Sequence, residues 1–270
     1  MLDSFHIVVC AGIVPDPLQT LEPTAGANGP GVKNEMLLPA VLDPWAASAL
    51  YEAANLAAKR PGSRVTLVSL GPKAKLQQLM MTVAQKASFE LVPIDGPIGG
   101  FADAHATAAT IADAIAAIPE LDRNKLLLFG GWESATRGAG ITLQLVGERL
   151  GIMDQFQGVD RIDPRDDGSF EVLERVEGGK HQVSVCVGAP AVLGWATGNL
   201  AEPRNNPQVG MANMRTIMPA LQKAKSVPLA TNGLRYISVG LPSRQRTTRV
   251  VKDLAVEEIA RELVEWIEAE

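Results

Sequence analysis

Cysteine, histidine and aromatic residues are scarce in this chain, with two cysteines, three histidines and an aromatic fraction of 4% in 270 residues. Cys10 and Cys186 each lie in an apolar run with no second cysteine or histidine at ligand spacing, so both read as buried free thiols rather than as redox or zinc sites. His6, His105 and His181 are scattered and none stands in an HExxH setting, which leaves a metal site and histidine-based catalysis without a signal. Paired carboxylates poised for acid–base work and a nucleophile beside a base are likewise missing. These absences point away from a self-contained enzyme. Positive charge is short too: 25 Lys and Arg against 30 Asp and Glu give a formal net charge of −5 and a pI near 5.4, which argues against a nucleic-acid partner. No run approaches the roughly 18 apolar residues of a membrane span. The opening Met1-Leu2-Asp3-Ser4 lacks the basic region of a secretory signal, so the expectation is a cytoplasmic chain.

What is present is apolar and ordered. Hydrophobic residues make up 46% of the chain, enough for one sizeable core with appendages. Phe5–Cys10, Val65–Leu70, Glu90–Ile94 and Leu126–Phe129 read as strands, with helical patterns between them at Trp45–Ala58, Lys73–Lys86 and Asp103–Ile118. This alternation predicts an α/β fold with a parallel sheet covered on both faces, whose ligands sit outside the carboxyl ends of the strands. Gly12–Leu42, punctuated by proline and glycine, reads as a long irregular loop at that edge.

The second half changes character. Phe170–Val176, Gln182–Val187 and Ala191–Trp195 read as β segments, the first two joined into a hairpin at Glu177-Gly178-Gly179. Ala196–Val227 reads as an exposed loop leading to an arm. Arg235, Arg244, Arg246, Arg249 and Lys252 then give a positive bias, and Val256, Ile259, Ala260, Leu263, Val264 and Ile267 form one apolar face of a final helix. The expected organisation is a core over 1–195, a loop and following segment over 196–229, and an arm with the amphipathic helix over 230–270.

Three stretches have ligand-binding chemistry as one of their readings. The segment from Gly130 through Thr136, Arg137, Gly138, Ala139 and Gly140 to Ile141 follows a strand and precedes an apolar helix reaching Leu150. It is either a nucleotide cradle or a connecting loop, the two being of equal weight from these residues alone. Neither GxGxxG nor the phosphate-loop lysine motif is matched. Ser69-Leu70-Gly71 closes the second strand, where backbone groups can meet a nucleotide; by itself this is a weak signal. Asp43-Pro44 is explained by capping at a helix start, and Trp45 is either core or a cleft wall.

Taken together, Ile7-Val8-Val9, Asp16-Pro17, Asp43-Pro44-Trp45, Ser69-Leu70-Gly71 and Ala201-Glu202-Pro203-Arg204 resemble the electron transfer flavoprotein β (small) subunit family over about residues 5–229. The strongest likeness is Leu200-Ala201-Glu202-Pro203-Arg204 with the downstream Lys223-Ala224-Lys225, similar to the family's Leu-Asn-Glu-Pro-Arg loop and its lysine-rich continuation. Arg175, Glu177-Gly178-Gly179 and Pro190-Ala191-Val192 are similar to its hairpin and signature strand.

The resemblance implies a Rossmann-type, adenine nucleotide hydrolase-like sandwich with a hairpin region and a C-terminal arm. It implies a non-enzymatic electron carrier that forms a heterodimer with the electron transfer flavoprotein α subunit. Such a carrier accepts electrons from a donor dehydrogenase and passes them to an acceptor oxidoreductase. FAD would be held mainly by the α subunit, with AMP or a second FAD in this chain. Cys10, Pro17, the Asp43 and Ser69 turns and the Gly130–Ile141 loop would border the cofactors, and Leu200, Glu202, Pro203 and Arg204 would meet the dehydrogenase. The chain departs from the family at Gly12, where a lysine is usual, at Asp43, where an asparagine is usual, and over Ala135–Ile141, which replaces an acidic Asp-Asp-x-x-Gln-Thr-Gly loop. A stand-alone nucleotide-binding α/β protein and a structural subunit with a decayed site are the alternatives.

Overall fold

In the computed structural model, which describes residues 4–26, 29–97, 102–135, 138–228, 237 and 249–269, β1 (His6–Cys10) is the strand on which the sheet is organised. Its Ile7, Val8 and Val9 are fully buried on both faces, as expected of a central parallel strand. The following segment differs from the irregular loop expected. It folds into two small antiparallel ribbons, β2 (Ile13–Pro15) with β5 (Ala40–Leu42) and, between them, β3 (Pro23–Gly26) with β4 (Gly29–Val32). Strands of three or four residues are too short to show alternation, and their prolines are tolerated because both strands of a ribbon are edges.

The first helix, α1 (Pro44–Lys59), starts where Asp43 Oδ1 accepts from Trp45 N at 3.1 Å and Pro44 fills the first helical position. Then come β6 (Arg64–Gly71), α2 (Lys73–Val83), β7 (Glu90–Asp95), α3 (Ala104–Ala116), β8 (Leu126–Gly131) and α4 (Thr142–Arg149). A ten-residue strand without a clear sequence signal, β9 (Gln155–Pro164), leads to β10 (Phe170–Val176), β11 (Lys180–Cys186) and β12 (Ala191–Trp195). Asp160, Arg161 and Asp163 interrupt the apolar alternation of β9, which is why pattern reading passes over it.

These strands form one eight-stranded sheet in the order β11-β10-β9-β12-β8-β1-β6-β7. It is parallel from β9 to β7 and antiparallel in the β9-β10-β11 extension. Helices cover both faces. Leu50 of α1 and Leu76 and Met80 of α2 pack in one core with Ile7 and Phe129; Ile111 and Ile115 of α3 and Val146 of α4 pack in the other with Val8 and Leu128. This is the doubly covered α/β arrangement expected, with the hairpin where predicted.

The segment after β12 corrects the expectation of an exposed loop over Ala196–Val227, because it contains a 16-residue helix, α5 (Pro207–Gln222). Asn206 Oδ1 accepts from Gln208 N and Val209 N at 3.1 and 3.3 Å, and Pro207 stands at the first helical position, so a proline that reads as a breaker is part of the start signal. Gly210, Ile217 and Leu221 are buried, and Asn213 Nδ2 donates to the carbonyls of Ala84 and Ala87 at 2.7 Å each, closing the end of α2. Beyond α5 the chain reaches the free edge of β7, where Val227 N donates to Asp95 O at 2.8 Å.

Residues Gly240–Glu270 form a separate unit. In it α6 (Val256–Glu268) leaves Ile259, Leu263 and Ile267 exposed along one face, and Arg249 pairs with Glu262 at 3.0 Å. Arg235, Arg244 and Arg246 lie outside the described residues. Among the described residues no helix is long and apolar enough to cross a membrane.

Candidate functional site

From β1 the chain steps outward through β6 to β7, then crosses back to place β8 on the other side of β1. At the carboxyl ends of β1 and β8 the connections therefore diverge, and a crevice opens there, the place where open α/β sheets take ligands. Its floor and walls are Cys10 to Pro15 after β1, Leu70 at the end of β6, Gly131 at the end of β8, and Glu133, Ser134, Ala139 and Gly140 from the following loop. Asp43 and Ala46 of α1, Thr107 and Ile111 of α3 and Thr142 and Leu143 of α4 close it, with Glu35 at the side. The lining is mainly apolar. Among the described lining residues the ionisable side chains are Cys10, Glu35, Asp43 and Glu133, and none is basic.

Asp43 is the most heavily engaged of these groups. It is 5% exposed, Oδ2 accepts from Ala135 N at 2.9 Å, and Asp43 N donates to Gly12 O at 2.9 Å. One residue thus ties the turn after β1, the start of α1 and the loop after β8 together around the crevice. Burial raises its pKa, opposed by the hydrogen bonds it accepts from Ala135, Trp45, Ser134 and Ala46. Burial also pushes the Cys10 thiol up to about 12, so it lines the crevice as a neutral group without nucleophilic character.

Of the residues singled out by sequence, Cys10, Asp43, Leu70, Ala139 and Gly140 come together on this lining. Gly140 is held to glycine by packing, since a Cβ there would lie 1.6 Å from Trp132 O. Ser69 is fully buried behind the wall, its hydroxyl donating to Ala11 O at 2.9 Å, and Gly71 O accepts from Gly96 N at 3.3 Å. Gly130 sits between Leu143 and Cys10 O, where a Cβ would be 2.9 and 3.1 Å away. Trp45 packs by its Cβ against Gly131 rather than on the lining, while Pro17, Pro44 and Ile141 are exposed outside it. Gly138, at φ +58°, closes a turn by donating to Ser134 O at 2.7 Å. Thr136 and Arg137 lie outside the described residues.

Sequence reading missed Thr142, Leu143, Thr107 and Glu35 as wall residues. Thr142 and Leu143 had a signal, being the first turn of the helix after a glycine-rich loop, where N–H groups have no intrahelical acceptor. Glu35 had none, because it stands in a segment without periodicity.

The second candidate region is the segment after β12. Leu200 is 40% exposed in it, with Asn199, Ala201 and Arg204 also exposed. Glu202 is not a free surface acid, since it forms an ion pair with Lys86 in the turn after α2. Nearby, Arg175 grips the buried Asp160 through Nε and Nη2 at 3.1 and 2.9 Å and reaches Thr197 Oγ1 at 2.8 Å, while His181 Nε2 lies 3.0 Å from Asp160 Oδ2. This network joins the hairpin to the strand end from which the Leu200 segment departs.

The sequence model of the electron transfer flavoprotein domain matches residues 34–230. The chain is 32% identical over 118 residues to the caffeyl-CoA reductase-Etf complex subunit CarD of Acetobacterium woodii, the match covering 43% of each chain. It thus spans less than half the length of that relative.

Proposed function

The chain belongs to the electron transfer flavoprotein family, and on that premise we propose that it is the β subunit of a heterodimeric electron carrier, working between a donor dehydrogenase and an acceptor oxidoreductase in the cytoplasm. The observation that carries this reading is the chemistry of the crevice. Its walls are apolar groups and backbone, its thiol is kept protonated by burial, and Asp43 is occupied with backbone N–H groups. Such a site suits holding and orienting a cofactor rather than reacting with a substrate.

FAD, held mainly by the α subunit, supplies the electron-transfer chemistry. This chain contributes a wall near the Gly12 turn that excludes water. In this reading the chain's own crevice would hold an adenine nucleotide, with Ile13, Val14, Leu70 and Ile111 as apolar walls and the first turn of α4 at Thr142 and Leu143 as the anion-facing end. A structural subunit with an empty nucleotide site is the second reading, favoured by Glu35 and Glu133 on the same lining, which disfavour a phosphate.

Co-expression with an electron transfer flavoprotein α subunit tests both. The expected result is a yellow complex that forms only when both chains are present, and that releases FAD together with AMP or further FAD on acid precipitation, identified by mass. FAD alone, at one per heterodimer, selects the second reading. Stoichiometric flavin on this chain by itself would overturn the assignment.

A further inference from the structure

Glu52 stands on α1 in an alanine-rich stretch, Ala46 to Ala58, yet its half-buried carboxylate faces the segment that leaves β12. Asn199 N donates to Glu52 Oε1 at 2.9 Å, and the Leu200 N–H acts on the same carboxylate by opposing the rise in its pKa. The residue before them, Gly198, has φ +63°, and a Cβ there would lie 2.7 Å from Glu52 Oε1, so close approach and backbone conformation both call for glycine. The far side of the segment is tethered as well. Glu202 pairs with Lys86, and Asn206 N donates to Gln85 O at 2.9 Å. Leu200 therefore lies between fixed points on α1 and in the turn after α2.

We propose that Glu52 is the positioning residue that presents Leu200 to the donor dehydrogenase. The inference rests on the reading of this segment as the docking loop, and goes beyond it by assigning the docking geometry to a side chain 148 positions away in sequence. An apolar anchor contributes to association only if its backbone is already ordered, because ordering it on binding subtracts from the affinity. Burial raises the pKa of Glu52, with the Asn199 and Leu200 N–H groups and then Lys59 opposing, so the carboxylate has been taken partly out of water for contacts made with this segment.

The test uses the purified heterodimer carrying Glu52→Ala, Glu52→Gln, Leu200→Ala or Glu52→Ala with Leu200→Ala. The probe is a purified dehydrogenase that reduces the wild-type heterodimer. Glu52→Ala is expected to speed amide exchange at Asn199 and Leu200 and to raise KM for the dehydrogenase roughly tenfold with kcat unchanged. Glu52→Gln, whose amide oxygen still accepts from Asn199 N, should restore most of each effect. In the double variant KM should match that of Leu200→Ala, since Glu52 acts through Leu200. Unchanged KM in Glu52→Ala alongside a raised KM in Leu200→Ala overturns the positioning role alone, as do additive effects in the double variant. Unchanged KM in Leu200→Ala removes the docking reading and the positioning role with it.

Discussion

At the scale of single residues, His6 shows how tertiary placement sets chemistry. It is 3% exposed at the start of β1; Arg64 Nε donates to Nδ1 at 3.2 Å, so the ring proton is on Nε2, 3.2 Å from Thr66 Oγ1. Burial first and the Arg64 charge second push its pKa down to about 4, with Asp122 opposing. A histidine that protonates at 6.5 when unfolded and near 4 when folded stabilises the fold above pH 6.5, and that contribution is lost as pH falls from 6.5 to 4. The loss is at most about 3 kcal/mol. In urea unfolding across this range the wild type should therefore weaken more steeply than His6→Gln, whose amide cannot charge. Parallel slopes for the two proteins would show that His6 is not the titrating group. Asp43 has the opposite sign. Its raised pKa means that its share of stability is present at low pH and is lost as pH rises through the folded value.

At the scale of elements, the crevice depends on how closely α1 approaches β8. Gly131 is the contact point, since a Cβ there would lie 2.7 Å from Trp45 Cβ and 3.1 Å from Ala46 N. Gly131→Ala should push the start of α1 away from the sheet and destabilise the protein by about 1–3 kcal/mol, with a matching loss of occupancy at the proposed nucleotide site. A thermal melt equal to wild type would show that the two elements have room to part. The main β/α alternation was legible because each element is long and periodic, whereas β2 to β5 are too short to show a period. The α5 helix was obscured for a different reason. Pro203, Pro207 and Pro219 read as breaks, although Pro207 begins the helix and Pro219 falls in its last turn.

At the scale of the whole molecule, the matched family region ends at residue 230 and a separate unit begins at Gly240. Leu263 and Ile267 of α6 are 51% and 69% exposed in line with Ile259, opposite a face carrying Glu258, Glu262 and Glu265. An apolar stripe of this kind, on the heterodimeric carrier proposed above, is expected to be covered by the partner subunit. Leu263→Asp with Ile267→Asp should weaken heterodimer formation by tenfold or more, a loss of over about 1.4 kcal/mol, while leaving the melting temperature of the separate chain within error. Unaltered assembly, measured by analytical ultracentrifugation, would place the subunit interface elsewhere.

The sequence by itself determined the α/β class, the parallel sheet, the hairpin, the final amphipathic helix and the family resemblance, because these are written in local periodicity, capping and short motifs. The resemblance also named Cys10, Asp43, Leu70, Ala139 and Gly140, which come together on the crevice lining. Only the tertiary structure decided what each side chain is free to do. Ser69 is occupied by Ala11 O, Glu202 by Lys86, and Asp43 by Ala135 N, through contacts 58, 116 and 92 positions apart. Glu52 is linked to Asn199 across 147. A pattern of residues in a chain specifies which faces are buried, but a hydrogen bond needs a donor and an acceptor within about 3 Å, and that distance exists only once the sheet has brought distant turns to one edge.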